Sequence, residues 1–355
     1  MAQHSQGEQY EDEMLNWGRL LLDGLPFADV LGARDRGEHV SWFDYWMSVA
    51  ERYEHQAEQA LVEEHELSAG EWFVIGALAA QYGQFLCFDQ RRSVGQARKV
   101  ELYRRGAPYL NPPAERVDVP FEGVTIPCYL RLPRATSNSA PCAILLGGLE
   151  STKEESYAFE NLVLARGVAT FTFDGPGQGE LLADVRLSGD FERYTTRVID
   201  YLEKRDEIDP SRLGVLGRSL GANYALRSAA LDHRLVACVA WGLGIHMDNW
   251  DTEPPATKES WRYVSKVATL DEARDYVRQV IDVRPVLDKL GCATYGLHGA
   301  LDTNPIEMVN EFRSLATMAP LTVVVEPHGN HCCHNLGPMP RVRMADWLSN
   351  QLRRA

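Results

Sequence analysis

The stretch Leu213-Gly214-Val215-Leu216-Gly217-Arg218-Ser219-Leu220-Gly221 constrains this chain more than any other. Its short apolar run suits a buried strand, and glycines on either side of a serine permit a turn too tight for most side chains. The segment that follows, with Ala222, Ala225, Leu226, Ala229 and Ala230, suits a helix. Such a strand–turn–helix lifts the Ser219 hydroxyl above the sheet edge, with a helix N-terminus beneath it. A glycine–serine turn recurs in unrelated proteins, so the reading depends on an acid and a histidine following in order.

Both follow. Ala293–Leu297 reads as a strand running into His298-Gly299-Ala300-Leu301-Asp302. That places Asp302 at a strand's C-terminal end, where the ligand-facing groups of open α/β sheets gather. Leu321–Val325 reads as another strand, leading into Glu326-Pro327-His328-Gly329-Asn330-His331-Cys332-Cys333-His334. A serine hydroxyl is a weak nucleophile until a base takes its proton, and the base needs an acid to orient it. His331, in the middle of the loop, is the expected base. Asp302 is the expected acid, its alternative being an N-cap for a helix at Pro305. His334 is expected to bind substrate or to pack, and His328 to be structural. The His-Cys-Cys-His run lacks the usual ligand spacing of zinc sites, and adjacent cysteines point apart, so no metal and no cofactor are expected.

An oxyanion needs preorganised N–H donors. The N–H of Leu220 is one candidate. The other is that of Gly148 or Leu149, in the glycine-rich loop after the apolar strand Cys142–Leu146. The loop Asp174–Glu180 (DGPGQGE) lacks the Lys-Ser/Thr of a phosphate-binding loop and reads as a tight turn beside the site.

From Arg116 onward, strands alternate with helices over short connections, which implies an α/β fold with a mostly parallel sheet covered on both faces. Residues 1–113 read instead as successive helices. Met14, Trp17, Leu21, Leu22 and Leu25 mark one apolar face, ended by Pro26; Phe43 to Leu61 repeat the pattern behind Ser41. Ser68 with Glu71 has the form of a capping box opening a third helix through Phe85, and a fourth spans about Val94 to Arg105. The aromatic stripes read most simply as core, with lining a substrate pocket as the alternative. Pro112-Pro113 ends this region. The expected division is a helical N-terminal domain over 1–113 and a catalytic domain over 114–355, with an irregular helical insertion at about 243–290.

A net charge of −14 argues against nucleic acid or an anionic membrane surface as partner. The acidity is concentrated early: residues 1–115 hold nineteen Asp/Glu against ten Lys/Arg. No apolar run approaches the ~18–20 residues of a membrane span, and Met1 to Glu13 lacks the pattern of a secretory signal. The seven cysteines, odd in number and mostly within apolar stretches, read as reduced thiols in the cytoplasm.

With these residues in place, the chain resembles the α/β-hydrolases. Among them it resembles the 2,6-dihydroxypseudooxynicotine hydrolase-like family of carbon–carbon bond hydrolases, whose members carry an N-terminal helical domain. The matching stretches are GGLESTKEE (147–155), DGPGQGE (174–180), GRSLG (217–221), TKESWRYVSKVATLDEA (257–273), HGALD (298–302) and GNHCCHNLGPMPRVRMADWL (329–348). The serine elbow is common to many hydrolases; the TKESW and HCCHNLG stretches are far more specific. The resemblance implies an α/β-hydrolase fold with an N-terminal helical cap. It also implies cleavage of a carbon–carbon bond adjacent to a ketone in a small, partly aromatic or polyketide-like substrate, through an acyl-enzyme on Ser219. It further implies a homodimer and a glutamate near the site, for which Glu253 is the candidate, a surface or capping role being its alternative. A carboxylesterase or thioesterase with the same triad is the competing activity. The intact set Ser219, Asp302 and His331 opposes a silent binding module.

Overall fold

A computed structural model describes residues 17–85, 87–134 and 139–355; Met14, assigned above to the first helical face, lies outside them. The first third folds as helices α1 (Trp17–Asp23), α2 (Phe27–Arg34), α3 (Trp42–Val62), α4 (Glu66–Gln84) and α5 (Gln90–Gly106). The α3 start is as expected, with the Ser41 hydroxyl accepting the Asp44 N–H at 3.0 Å. The helix α2 was not foreseen. Helix α4 is buried on every side from Gly76 to Gln84, the pattern of a central helix rather than a surface one. Trp42, Trp46, Phe73, Leu78, Tyr82 and Tyr103 form the core around it.

The proposed capping box does not form: α4 begins at Glu66, two residues before Ser68. The turn out of α3 is closed by Glu64 in the left-handed region (φ 62°) and by the His65 N–H donating to the Ala60 carbonyl at 2.8 Å. The next helix therefore starts as soon as that turn is complete. The apolar face of α1 is also out of phase with its buried face. Leu20 and Asp23 are buried while Leu21 is 39% exposed, because Asp23 is drawn inward by arginines from distant elements.

Strands β1 (Ala114–Phe121), β2 (Val124–Arg131), β3 (Ala140–Leu146), β4 (Ala169–Phe173), β5 (Ile208–Arg218), β6 (Leu235–Trp241), β7 (Ala293–Gly299) and β8 (Leu321–Glu326) form a sheet. Their order is β1-β2-β4-β3-β5-β6-β7-β8. The β1–β2 hairpin and the β2–β4 pair are antiparallel, and the remaining pairs are parallel. Strand side chains alternate between faces, so one continuous apolar run feeds two cores. Cys142, Ile144 and Leu146 join one core, while Ala143 and Leu145 join the other.

Helices α6 (Tyr157–Leu164), α7 (Phe191–Leu202), α8 (Leu220–Leu231), α9 (Pro255–Ser265), α10 (Leu270–Val280), α11 (Glu307–Leu315) and α12 (Met339–Arg354) complete the fold. Helices α7, α8 and α11 cover the first face, and α6 and α12 the second. The irregular stretch foreseen after β6 contains α9 and α10. No helix among the described residues is long and apolar enough to cross a membrane.

Candidate active site

Ser219 sits between β5 and α8 with φ 58° and ψ −120°, a conformation few side chains adopt. The flanking glycines are sterically required. A Cβ at Gly217 would lie 1.7 Å from the Gly221 carbonyl oxygen, and one at Gly221 would lie 2.4 Å from that of Leu146. The strained turn is locked by the Ser219 N–H donating to the Trp241 carbonyl at 2.7 Å.

Asp302 and His331 come from the loops after β7 and β8. Those loops are stapled together by the Ala300 N–H to Glu326 and the Leu301 N–H to Gly329, both 2.9 Å. The His331 loop is closed on itself by reciprocal bonds between Asn330 and Asn335. The outcome is a continuous relay: Ser219 Oγ to His331 Nε2 at 2.7 Å, and His331 Nδ1 to the Asp302 carboxylate at 2.9 and 3.0 Å. An ionised carboxylate only accepts, so Nδ1 carries the proton and Nε2 is free to accept the serine hydroxyl. Burial works against charge on both partners, yet their mutual attraction outweighs it. The His331 pKa is raised above the ordinary imidazole value, and that of Asp302 is lowered.

Gly148 and Leu149, the candidates for the second oxyanion donor, follow β3 and line the cavity beside Ser219. A Cβ at Gly148 would approach the Ser219 Cβ to 3.1 Å, so the loop runs directly against the serine. Among the described residues, the N–H groups of Gly148, Leu149 and Leu220 have no backbone acceptor in the turns and loops.

Above the serine lies a cavity of about 570 Å³. Trp17, Arg19 and Phe85 of the helical third form part of its wall, facing residues such as Met247 and Trp261. Glu253 lines it too, buried, with its Oε1 accepting from Asn249 Nδ2 at 3.0 Å. A surface role for Glu253 is thereby excluded. Burial raises its pKa, the charge of His331 pulling the other way. His334 both lines the cavity and packs edge-on against Trp241, at 5.4 Å between rings. Burial and the charges of Arg341 and Arg218 push its pKa far below the usual value, so it is neutral. His328 is exposed, its carbonyl accepting from Asn335 Nδ2 at 2.8 Å. Cys332 Sγ donates to the Trp241 carbonyl at 3.6 Å, while Cys333 Sγ lies against Gly329. The adjacent thiols do point apart.

Sequence reasoning missed the role of Arg218, the residue before the nucleophile candidate. Its guanidinium donates to both oxygens of Asp23 at 3.0 Å, to Ser151 Oγ at 3.0 Å and to Glu155. Asp23 also accepts from Arg341 Nη2 at 2.7 Å and from the Tyr82 hydroxyl at 2.6 Å. This buried cluster ties α1 to the elbow and to α12. The available signal was an acidic residue three positions after Leu20, on the face that turned inward.

Sheet, elbow and serine–histidine–aspartate arrangement together define an α/β-hydrolase. The chain belongs to the family described as esterase FrsA-like, which matches residues 27–256. It is 55% identical over 342 residues to 2,6-dihydropseudooxynicotine hydrolase of Paenarthrobacter nicotinovorans, covering 96% of this chain and 93% of that protein. The crystal structure of the 2,6-dihydroxy-pseudo-oxynicotine hydrolase matches with a TM-score of 0.92 at 54% identity, over 95% of this chain and 96% of that one. The solved structure of AbyA5 matches with a TM-score of 0.71 over 92% and 95% of the two chains; at 19% identity it shares the fold. The protein is a hydrolase.

Proposed function

We propose that this hydrolase cleaves a carbon–carbon bond beside a ketone, with Ser219 as nucleophile, His331 as base and then acid, and Asp302 as its orienting acid. The observation that carries the reading is the unbroken relay beneath a cavity that the helical third helps to wall, in a chain alike to a pseudooxynicotine hydrolase along nearly its whole length. Ser219 Oγ gives its proton to His331 Nε2 and bonds to the ketone carbon, and the carbonyl oxygen becomes an oxyanion held by the Leu220 N–H and by that of Gly148 or Leu149. Collapse breaks the carbon–carbon bond. Its electron pair leaves on carbon and takes the proton back from His331, which yields one product and an acyl-enzyme. Water, deprotonated by His331, then releases the acid.

A simple alkyl carbanion is too basic to leave. The substrate must therefore present the leaving carbon as an enolate or as an electron-rich hydroxylated ring. The buried Glu253 and the neutral His334 are the polar side chains we assign to substrate binding in this cavity. We take residues 1–113 as the cap domain and 114–355 as the catalytic domain, since the helical core is built largely from the first part.

The buried cysteines Cys128, Cys142, Cys238, Cys332 and Cys333 support a reducing cytoplasm, an assignment that cell fractionation checks. The family resemblance supports a homodimer, which a monomeric mass by sedimentation at micromolar concentration would overturn. The competing activity is ester or thioester hydrolysis, favoured by the esterase description of the family. Aryl ketones and β-diketones assayed beside p-nitrophenyl esters separate the two: rapid ester turnover with no ketone cleavage overturns the carbon–carbon reading.

A further inference from the structure

Gly147 and Gly148 give the oxyanion loop the greatest backbone freedom of any residue pair, the opposite of what a preorganised donor needs. Something outside the loop must therefore hold its peptide planes. The loop Asp174–Glu180 supplies it. The buried Gln178 directs Nε2 at two successive carbonyls, Gly147 O at 2.8 Å and Gly148 O at 2.9 Å. Its Oε1 accepts the Gly175 N–H at 3.2 Å. That bond fixes which way round the amide stands, because the reversed amide would set its oxygen against two carbonyl oxygens.

In a trans peptide the C=O and N–H point to opposite sides. The Gly147 carbonyl shares its peptide with the Gly148 N–H, and the Gly148 carbonyl shares its peptide with the Leu149 N–H. Holding both carbonyls toward Gln178 turns both candidate donors away from it. A flip of either plane would break a bond to Gln178 and leave its amide N–H buried without a partner.

The holding loop is itself rigidly built. Gly177 and Gly179 take φ of +79° and +43°, and a Cβ at Gly179 would fall 2.0 Å from Asp174 Oδ2. Asp174 accepts the Lys153 N–H at 2.8 Å and Lys153 Nζ at 2.7 Å, so the far end of the oxyanion loop is tied to the same segment. Lys153 Nζ also meets Glu154 at 2.7 Å and Glu180 at 2.5 Å, placing an ammonium among three carboxylates.

We propose that Gln178 is a positioning residue for the reaction: it aims the Gly148 and Leu149 N–H groups at the oxyanion by clamping the carbonyls of their peptides. The proposal rests on the reading of Ser219 as nucleophile. Its test must therefore tell the two apart, and it must not depend on knowing the substrate. An alkyl fluorophosphonate does both, because Ser219 Oγ displaces fluoride at phosphorus and the phosphoryl oxygen occupies the oxyanion position.

Labelling rates are measured against probe concentration for the wild type, Gln178→Met and Gln178→Glu. The methionine keeps the side chain's length without its donors, and the glutamate keeps its shape while facing both carbonyls with oxygen. Both variants are expected to lose about 10- to 100-fold in maximal labelling rate, less than the full loss of an oxyanion donor. The half-saturating probe concentration is expected to stay within about twofold, because binding precedes charge development. A purely structural role would lower the melting temperature and leave the maximal rate of the folded fraction intact. Wild-type labelling with an unchanged maximal rate in either folded variant overturns the proposal. A wild type that does not label overturns the nucleophile reading, and this proposal with it.

Discussion

Arg218 and Ser219 are adjacent in the chain, yet they enter separate charge networks on different sides of the elbow. Ser219 meets a histidine and an aspartate delivered by loops after the next strands of the sheet. Arg218 meets Asp23, Glu155 and Ser151, and through Asp23 reaches Arg341 and Tyr82. Both networks bury a carboxylate against nitrogen donors. The first leaves one nitrogen free to take a proton; in the second, Asp23 is bound by donors on every side. One network is built to change its protonation, the other to keep it.

That contrast can be broken at each end. Removing the proposed nucleophile should do most: Ser219→Ala is expected to lower kcat by about 10⁴–10⁶ while leaving the melting temperature near that of the wild type. Near-normal ketone cleavage by that variant would mean that His331 activates water directly. Asp302→Asn should cost about 10³–10⁴ in kcat by disturbing the tautomer and charge of His331.

The same substitution should move the pH profile. The proposed reaction needs neutral His331, so kcat/KM should rise with pH as the imidazole loses its proton. Because the charge of Asp302 raises that pKa, the wild-type limb should lie above the ordinary value of about 6.5. In Asp302→Asn the limb should shift to lower pH; an unmoved limb would assign it to another group.

On the other side of the elbow, Asp23→Asn should spare the chemistry more than the stability. Removing one partner of a buried ion pair typically costs about 3–5 kcal/mol, read here by urea unfolding. Burial opposes ionisation of Asp23, but Arg218, Arg341 and Arg19 outweigh it and hold the pKa far below the carboxylate range. A depressed folded pKa stabilises fully above the unfolded value of about 3.9 and is lost as pH falls further. The stability gap between wild type and Asp23→Asn should therefore be constant near neutrality and shrink below about pH 4. A gap independent of pH would show that Asp23 is not the charged partner. The smallest effect expected is that of Glu253→Gln: about a tenfold slowing of ketone cleavage, with ester hydrolysis changed less, as for a group that touches substrate and not the relay.

The relay was legible in the sequence because each member lies in a short local pattern: glycines around Ser219, and strand ends before Asp302 and His331. The second network was not legible. Two of the arginines on Asp23, Arg218 and Arg341, lie 195 and 318 positions away, and no spacing rule reaches across that interval. Gln178 was read only as part of a turn, because its acceptors are backbone carbonyls, which every residue has. Local patterns also failed where chain entry decided the outcome. The S-x-x-E pattern at Ser68 formed no cap, whereas Thr269 and Glu272, of the same form, make a full capping box at the start of α10. The difference lies in the preceding residues, where the closed turn at Glu64 and His65 commits the chain to helix before Ser68 is reached.

Trp17 and Arg19 lie on α1 and Phe85 directly follows α4, all outside the sheet that carries Ser219, yet they stand in the wall of its cavity. The cavity wall is thus shared between the helical third and the segment that carries Ser219. Substitutions among the helices should widen or narrow the diet of the enzyme while the chemistry is inherited intact. A lineage built on this plan is expected to diversify in what it consumes well before it diversifies in how.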